Sequence, residues 1–276
     1  MTQPPSRGVL YPARLPTFTR VPPEPAEAAF VVHFWVPEWS IEPGRVSRQQ
    51  LIGYPAVNLV VMADEVVASG PTTRRSHRDL SGSGWGVGAL LRPAAVPAIA
   101  GDPLVLRDTE SPLDAPELVA AVTEAMDARD PHRITRACRI LGAWIVERAG
   151  EPSPDALLAN ELARVIDGDP TVLQLADIAA RLNVSQRTVT RLARRFVGVT
   201  PAAMIRRRRL QEAAEQLRAD PSIALAEVAA RHGYADQSHL SRDFRSVLGF
   251  TPTGYRADAA AAPPAASVQR RPFGGL

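Results

Sequence analysis

The chain has 276 residues, 45% of them hydrophobic, which is enough for two modest domains. Its one cysteine, Cys138, excludes an internal disulfide and a cysteine-rich zinc site, and no apolar run reaches the ~18 residues of a membrane span. The net charge of +3 is unevenly spread: residues 1–170 carry −5, residues 171–258 carry +6, and Arg270 and Arg271 supply the rest. A basic carboxyl-terminal half is the footprint of a nucleic-acid partner; a solvated basic surface is the plainer alternative. There is no lysine, so all 32 cations are arginines, each a planar fork suited to phosphate and guanine.

Along the chain, Met1 to Ser6 lacks the charged and apolar regions of a signal peptide, so the expected location is the cytoplasm, at the nucleoid. Residues 1–27 are proline-rich and without periodicity, and read as a flexible arm. Residues 28–110 read as a small β domain, sandwich- or barrel-like. Its strands are Phe30–Val36, Val57–Met62, Glu65–Ala68 with Ala63-Asp64 as a hairpin connection, and a last strand at Leu104-Val105-Leu106. Gly82, Gly84, Gly86 and Gly88 alternate where a strand bends or backbones approach closely. Residues 111–168 form a helical connector. Leu118, Val122, Ala125 and Met126 make one apolar stripe; Ile134, Cys138, Leu141, Ile145 and Ala149 make another; Asp155–Ile166 is a third helix. Packing within the chain is the expected use of these stripes, and a homodimer surface the alternative. Residues 169–258 are the basic helical domain, and residues 259–276, rich in Ala and Pro, read as a disordered tail.

The basic domain repeats itself. Leu175-Ala176-Asp177-Ile178-Ala179-Ala180-Arg181 returns as Leu225-Ala226-Glu227-Val228-Ala229-Ala230-Arg231, and Gly198-Val199-Thr200-Pro201 as Gly249-Phe250-Thr251-Pro252. Each copy reads as helix, turn, helix, with Asn183 or Gly233 at the turn, where positive φ is needed. In the second helix of the first copy, Val189, Leu192, Ala193 and Phe196 form the inward stripe, while Arg187, Thr190, Arg191 and Arg194 face out. In the second copy Leu240, Phe244 and Val247 face in, and Ser238, Ser241, Arg242 and Arg245 face out. Ser185 and Asp236 are placed to cap these helices. A major-groove helix needs this division: one stripe holds it in its domain, the other offers donors to base edges. A connecting helix from Ala202 to Arg218 carries Arg206 to Arg209, of which Arg207 and Arg208 are expected in solvent. Thr200-Pro201 and Thr251-Pro252 read as N-cap plus first-turn proline, and such helix starts also suit phosphate.

These residues resemble the DNA-binding domain of AraC/XylS-type transcription regulators. The resemblance is carried by Ile178-Ala179, Ser185, Arg191-Leu192, Gly198 to Pro201, Arg209-Leu210, Ala213, Leu217, Val228-Ala229, Gly233-Tyr234, Asp236, Ser238, Leu240, Arg242, Phe244, Gly249 to Pro252 and Tyr255-Arg256. It covers about a third of the chain. It implies an α+β, two-domain protein ending in seven helices, with two helix-turn-helix units joined by a long helix, whose recognition helices enter successive major-groove segments. It places base reading on Arg187, Thr190, Arg191, Gln237, Ser238 and Arg242. Phosphate contacts are expected from Arg194, Arg195, Thr200, Arg209, His239, Arg245 and Thr251. Ala193 departs from the family, which often has a larger aromatic there; Phe196 is expected to fill the space. The β region is similar to a small domain that precedes this one in some regulators, on His33-Phe34-Trp35, Pro55 to Val60, Gly70-Pro71-Thr72-Thr73 and Gly86-Val87-Gly88.

Enzyme readings find little in the sequence. His33, His77, His132, His232 and His239 show no metal-ligand spacing, and Gly82 to Gly88 lacks the lysine of a phosphate loop, so no cofactor or metal is expected. The expected partners are double-stranded DNA and RNA polymerase, with the β domain expected to bind a small-molecule effector or to mediate assembly. Two other readings stand: a ligand-binding or catalytic β module with the helices as adaptor, and a ligand-independent architectural DNA binder.

Overall fold

The computed structural model describes residues 17–51, 55–73, 76–127 and 129–261. The strands are β1 (Thr17–Val21), β2 (Val31–Ser40), β3 (Val46–Leu51), β4 (Asn58–Val61), β5 (Val66–Ser69), β6 (Ser76–Ser81), β7 (Ser83–Trp85), β8 (Val87–Leu91) and β9 (Glu110–Leu113). They build one antiparallel sheet in the order β1-β2-β8-β4-β5-β9, with β7 also on β2, while β3 and β6 pair as a separate two-stranded arm. Residues opposite each other across strands share a face. Phe34, Ala89, Leu59 and Ala68 form one row and Val36, Val87, Val61 and Val66 the next, and this face is buried. The other face carries Arg20, Trp35, Gly88, Val60 and Val67 in one row and His33, Leu90, Asn58 and Ser69 in another. Gly88 leaves the space that the Trp35 ring fills, and Gly84 does the same for Trp39. Of the four alternating glycines, Gly84 and Gly88 thus admit indole rings from β2, while Gly82 takes a left-handed turn and Gly86 lies at the break between β7 and β8.

Helices cover the buried face. α1 (Val96–Ala100), α2 (Pro116–Asp127) and α3 (Arg133–Ala149) share one apolar core with the sheet. α3 lies so close that a Cβ on Gly142 has no room beside the Glu27 carboxylate and the Phe34 ring. Glu27 is buried, and desolvation pushes its carboxyl up. Cys138 lies in the same core, its thiol pushed up to about 12 by burial and by Glu27, so it packs as a small hydrophobe. The connector stripes are thus spent on intrachain packing.

Three sequence expectations are corrected. The arm expected over residues 1–27 ends earlier, because Thr17–Val21 is the edge strand on β2 and Glu24–Glu27 closes a capped turn; residues 1–16 lie outside the described residues. Leu104–Leu106 is a turn, with Leu106 buried and Val105 75% exposed, and the last strand is β9. That strand was hidden because it carries Pro112 and sits at the sheet edge, where a proline is tolerated. The tail expected over residues 259–276 begins inside a helix that runs to Ala261; residues 262–276 lie outside the described residues.

The rest is helical: α4 (Pro154–Gly168), α5 (Leu175–Leu182), α6 (Gln186–Leu192) continuing as a π turn over Ala193–Val197, α7 (Pro201–Ala219), α8 (Leu225–Arg231), α9 (Gln237–Leu248) and α10 (Pro252–Ala261). α4 packs on α5, α6 and α7, so these seven helices form the unit that the repeat builds. The boundary expected at residue 169 cuts α4 from the helices it supports. Apolar packing then divides inside α7. One core runs from Phe30 to Ile205, taking in the sheet, the connector and the first helix-turn-helix. A second, smaller core from Leu210 to Tyr255 belongs to the second helix-turn-helix alone.

Candidate nucleic-acid interface

Local rules position both recognition helices. The Ser185 hydroxyl accepts the Thr188 N–H at 3.1 Å and starts α6, and Asp236 Oδ1 accepts the His239 N–H at 2.7 Å and starts α9. The turns before them use left-handed backbone, Asn183 at φ 51° and Gly233 at φ 69°. Inward stripes are closed: Val189, Leu192, Ala193 and Phe196 in the first unit, Leu240, Phe244 and Val247 in the second. Phe196 and Ala193 are both buried. The helix widens there, with the Gly198 N–H donating to the Ala193 carbonyl five residues back at 2.9 Å.

The outward stripes are solvent-facing. Arg187, Thr190, Arg191, Arg194 and Arg195 are exposed on the first unit, and Gln237, Ser238, Arg242 and Arg245 on the second, with Ser241 half-buried. Their side chains are not equally disposed. Arg191 is held by Asp155 in the first turn of α4, with Nη1 to Oδ2 at 2.6 Å and Nη2 to Oδ1 at 3.2 Å. Arg195 approaches the same carboxylate at 3.9 Å. Arg242 instead turns its Nε to the Ser238 carbonyl of its own helix, at 3.4 Å. The Thr190 hydroxyl donates back to the Gln186 carbonyl at 2.9 Å. The expected phosphate threonines act as helix caps: Thr200 Oγ1 accepts the Ala203 N–H and Thr251 Oγ1 the Gly254 N–H. His239 is half-buried, its ring edge-on to Tyr234 at 5.2 Å.

The arginines of α7 depart from expectation. Arg209, expected at phosphate, donates its Nε to the His232 carbonyl at 2.6 Å and lies over the Tyr234 ring at 4.1 Å. It pins the turn of the second unit from inside. Arg207 and Arg208, expected in solvent, are 4% and 2% exposed. Arg208 donates Nη2 to the Val172 carbonyl at 2.7 Å and Nη1 to the Asp169 carbonyl, holding the chain where α4 ends. Burial lowers the Arg207 guanidinium to about 10, while Asp108 favours its charged form. The only solvent-facing member is Arg206, whose fork spans both carboxylate oxygens of Asp243 on α9 at 2.8 and 2.6 Å. A central helix enclosed by both units leaves little of its surface to water. Spacing along α7 alone could not reveal that, and it could not reveal Asp155, which lies 36 residues from Arg191.

The β domain meets the first unit directly. Gly198, left-handed at φ 80°, sits against the Pro103 carbonyl with no room for a Cβ. The same loop is tied to the sheet. Asp108 accepts the Thr73 N–H at 2.5 Å and the Thr73 hydroxyl at 2.6 Å, and its own N–H donates to Pro71 at 3.1 Å. On the sheet's second face, Trp35 Nε1 donates to Asn58 Oδ1 at 3.1 Å and Phe18 stacks on Trp35 at 6.3 Å. Burial, helped by Arg20, lowers His33 to about 4, so it stays neutral near neutral pH. Among the described residues, no group of three or more His, Cys, Asp or Glu is placed to hold a metal ion.

Both domains have counterparts among known protein families. Residues 178–258 match the family model described as a helix-turn-helix domain, and residues 19–111 match a domain of unknown function, DUF6597. A Streptomyces lividans protein carrying the name AraC-like transcription regulator is 35% identical over 127 residues, which is 45% of this chain and 38% of that protein. The HTH-type transcriptional activator AarP of Providencia stuartii is 30% identical over 100 residues, 36% of this chain and 73% of AarP. A crystal structure of ToxT from Vibrio cholerae O395 aligns over 88% of this chain and 98% of that one, at 12% identity and a TM-score of 0.44.

Proposed function

The chain belongs to the AraC/XylS-type transcription regulators, and from that premise we propose that it binds double-stranded DNA and regulates transcription by reading two successive major-groove segments with α6 and α9. The observation that carries this reading is the pair of capped helices, each buried along one stripe and exposing arginine along the other. Arg187, Thr190 and Arg191 read bases in the first segment, and Gln237, Ser238 and Arg242 in the second. Arginine pairs bidentately with guanine O6 and N7, and glutamine with adenine N6 and N7, each worth ~1–3 kcal/mol of discrimination. Arg194, Arg195 and Arg245 contact phosphate, as do the N-termini capped by Thr200 and Thr251. Because the two stripes differ, the operator is two unlike half-elements in fixed order. The β domain receives a small-molecule effector on the face of Arg20, His33, Trp35 and Asn58, and its state reaches the first unit through the Pro103–Asp108 loop. RNA polymerase is the partner that an activating outcome requires.

Binding of the full chain to a random duplex library, with selection of the bound fraction, tests the reading. An enriched site with two distinct half-elements is expected, and affinity should fall steeply as salt rises, because arginines displace phosphate counterions. A flat salt response, or no enrichment, would overturn it.

A further inference from the structure

We propose that Asp155 is an internal competitor for the base-reading fork of Arg191, lowering the DNA affinity of the first unit until a guanine displaces the carboxylate. The inference rests on the base-reading role of Arg191. Both terminal nitrogens of Arg191 donate to the two Asp155 oxygens, at 2.6 and 3.2 Å. Those two nitrogens are an edge of the fork that can pair with guanine O6 and N7, so carboxylate and base compete for the same donors. The carboxylate is held where it can compete. Asp155 lies in the first turn of α4, Ser153 caps that turn, and α4 packs on α6. Arg195, one turn beyond Arg191, shares the same acid at 3.9 Å. Two cations on the DNA-facing side of the first unit thus converge on one carboxylate. The second unit has a different arrangement: Arg242 turns to the Ser238 carbonyl within its own helix, and the acid on α9, Asp243, is taken by Arg206 of α7. The guard is therefore specific to the first unit. It makes that unit contribute only where the base offers a better bidentate partner than an exposed carboxylate.

The pair is half-exposed, so the effect is that of a surface ion pair. Asp155→Asn keeps the size of the side chain and removes its charge. Full-length Asp155→Asn is expected to bind both the selected duplex and a random-sequence duplex about two- to fivefold more tightly than the unmodified chain. Asp155→Glu, which keeps a carboxylate, is expected to stay near the starting affinity. In an Arg191→Ala background the gain from Asp155→Asn should shrink, because the contested fork is gone. Weaker binding by Asp155→Asn would overturn the inference and make Asp155 a residue that aims Arg191 at the base. An undiminished gain in the Arg191→Ala background would reduce Asp155 to bulk charge, and an equal gain in Asp155→Glu would remove the carboxylate from the argument. Each of these outcomes leaves base reading intact. If Arg191→Ala alone binds the selected duplex as the unmodified chain does, it is base reading by Arg191 that fails. Unchanged melting of each variant confirms that α4 is intact.

Discussion

The two helix-turn-helix units share a sequence pattern but not a mode of support. The first is part of the main body: its inward stripe belongs to the same core as the sheet, and its closing glycine, Gly198, is pressed against Pro103 of the β domain. The second has its own core, beginning at Leu210, and is joined to the body through α7 by Arg206 on Asp243 and Arg209 on the His232 carbonyl. Packing density makes the difference consequential. A unit inside a continuous core moves only when the body moves, while a unit with a separate core can loosen alone. The first unit is therefore coupled to the β domain through packing, while the second can loosen without it.

The strongest way to break this contrast is to empty the smaller core. Phe244 is fully buried and meets the Tyr255 ring at 5.7 Å. Phe244→Ala is expected to cost ~3–5 kcal/mol. Native-state hydrogen exchange should show α8 to α10 losing protection while α5 and α6 keep theirs. Uniform loss across both units would mean that the two cores unfold as one.

A smaller effect sharpens the same contrast. Gly198 and Gly249 end the two recognition helices at matching left-handed positions, φ 80° and 77°. An alanine at either carries a strain of ~1–2 kcal/mol. At Gly198 it also meets the Pro103 carbonyl, which adds an overpacking cost of ~1–3 kcal/mol. Thermal melts should therefore rank Gly198→Ala well below Gly249→Ala. Equal losses would show that the loop yields freely, and the β domain would then have no firm hold on the first unit.

What the sequence made legible follows the same line. The repeat, the caps Ser185 and Asp236, and the split of each recognition helix into two stripes are local periodicities, and local periodicity survives in one dimension. The β strands from Val31, Asn58 and Val66 were readable because apolar residues cluster on them. β1 and β9 were not, being short edge strands with threonine, serine and proline. The fate of the α7 arginines was illegible for a different reason. Arg206 to Arg209 are chemically alike, and what separates them is which neighbour each meets: Asp243, the Asp108 loop, the end of α4, or the His232 turn. Those neighbours come from three regions of chain, the β-domain loop, the end of α4 and the second helix-turn-helix unit. Asp155 was hidden in the same way, as an ordinary first-turn acid of a helix assigned to the connector.

The finest test compares the two arginines proposed to read bases, Arg191 and Arg242. They occupy matching positions, and by base chemistry alone their loss should cost the same, ~1–3 kcal/mol each. Arg191 must first leave Asp155, whereas Arg242 leaves only a long bond to the Ser238 carbonyl of its own helix. An exposed ion pair is worth ~0.2–1 kcal/mol, so Arg191→Ala should weaken binding to the selected duplex by about that much less than Arg242→Ala. The difference should narrow as salt rises and screens the ion pair, while the base contacts, being short and shielded, keep their ranking. Titrations of both variants at two salt concentrations give the answer. An equal loss at low salt, or a larger loss for Arg191→Ala, would mean that the two units are unlike in how they are held but alike in how they read.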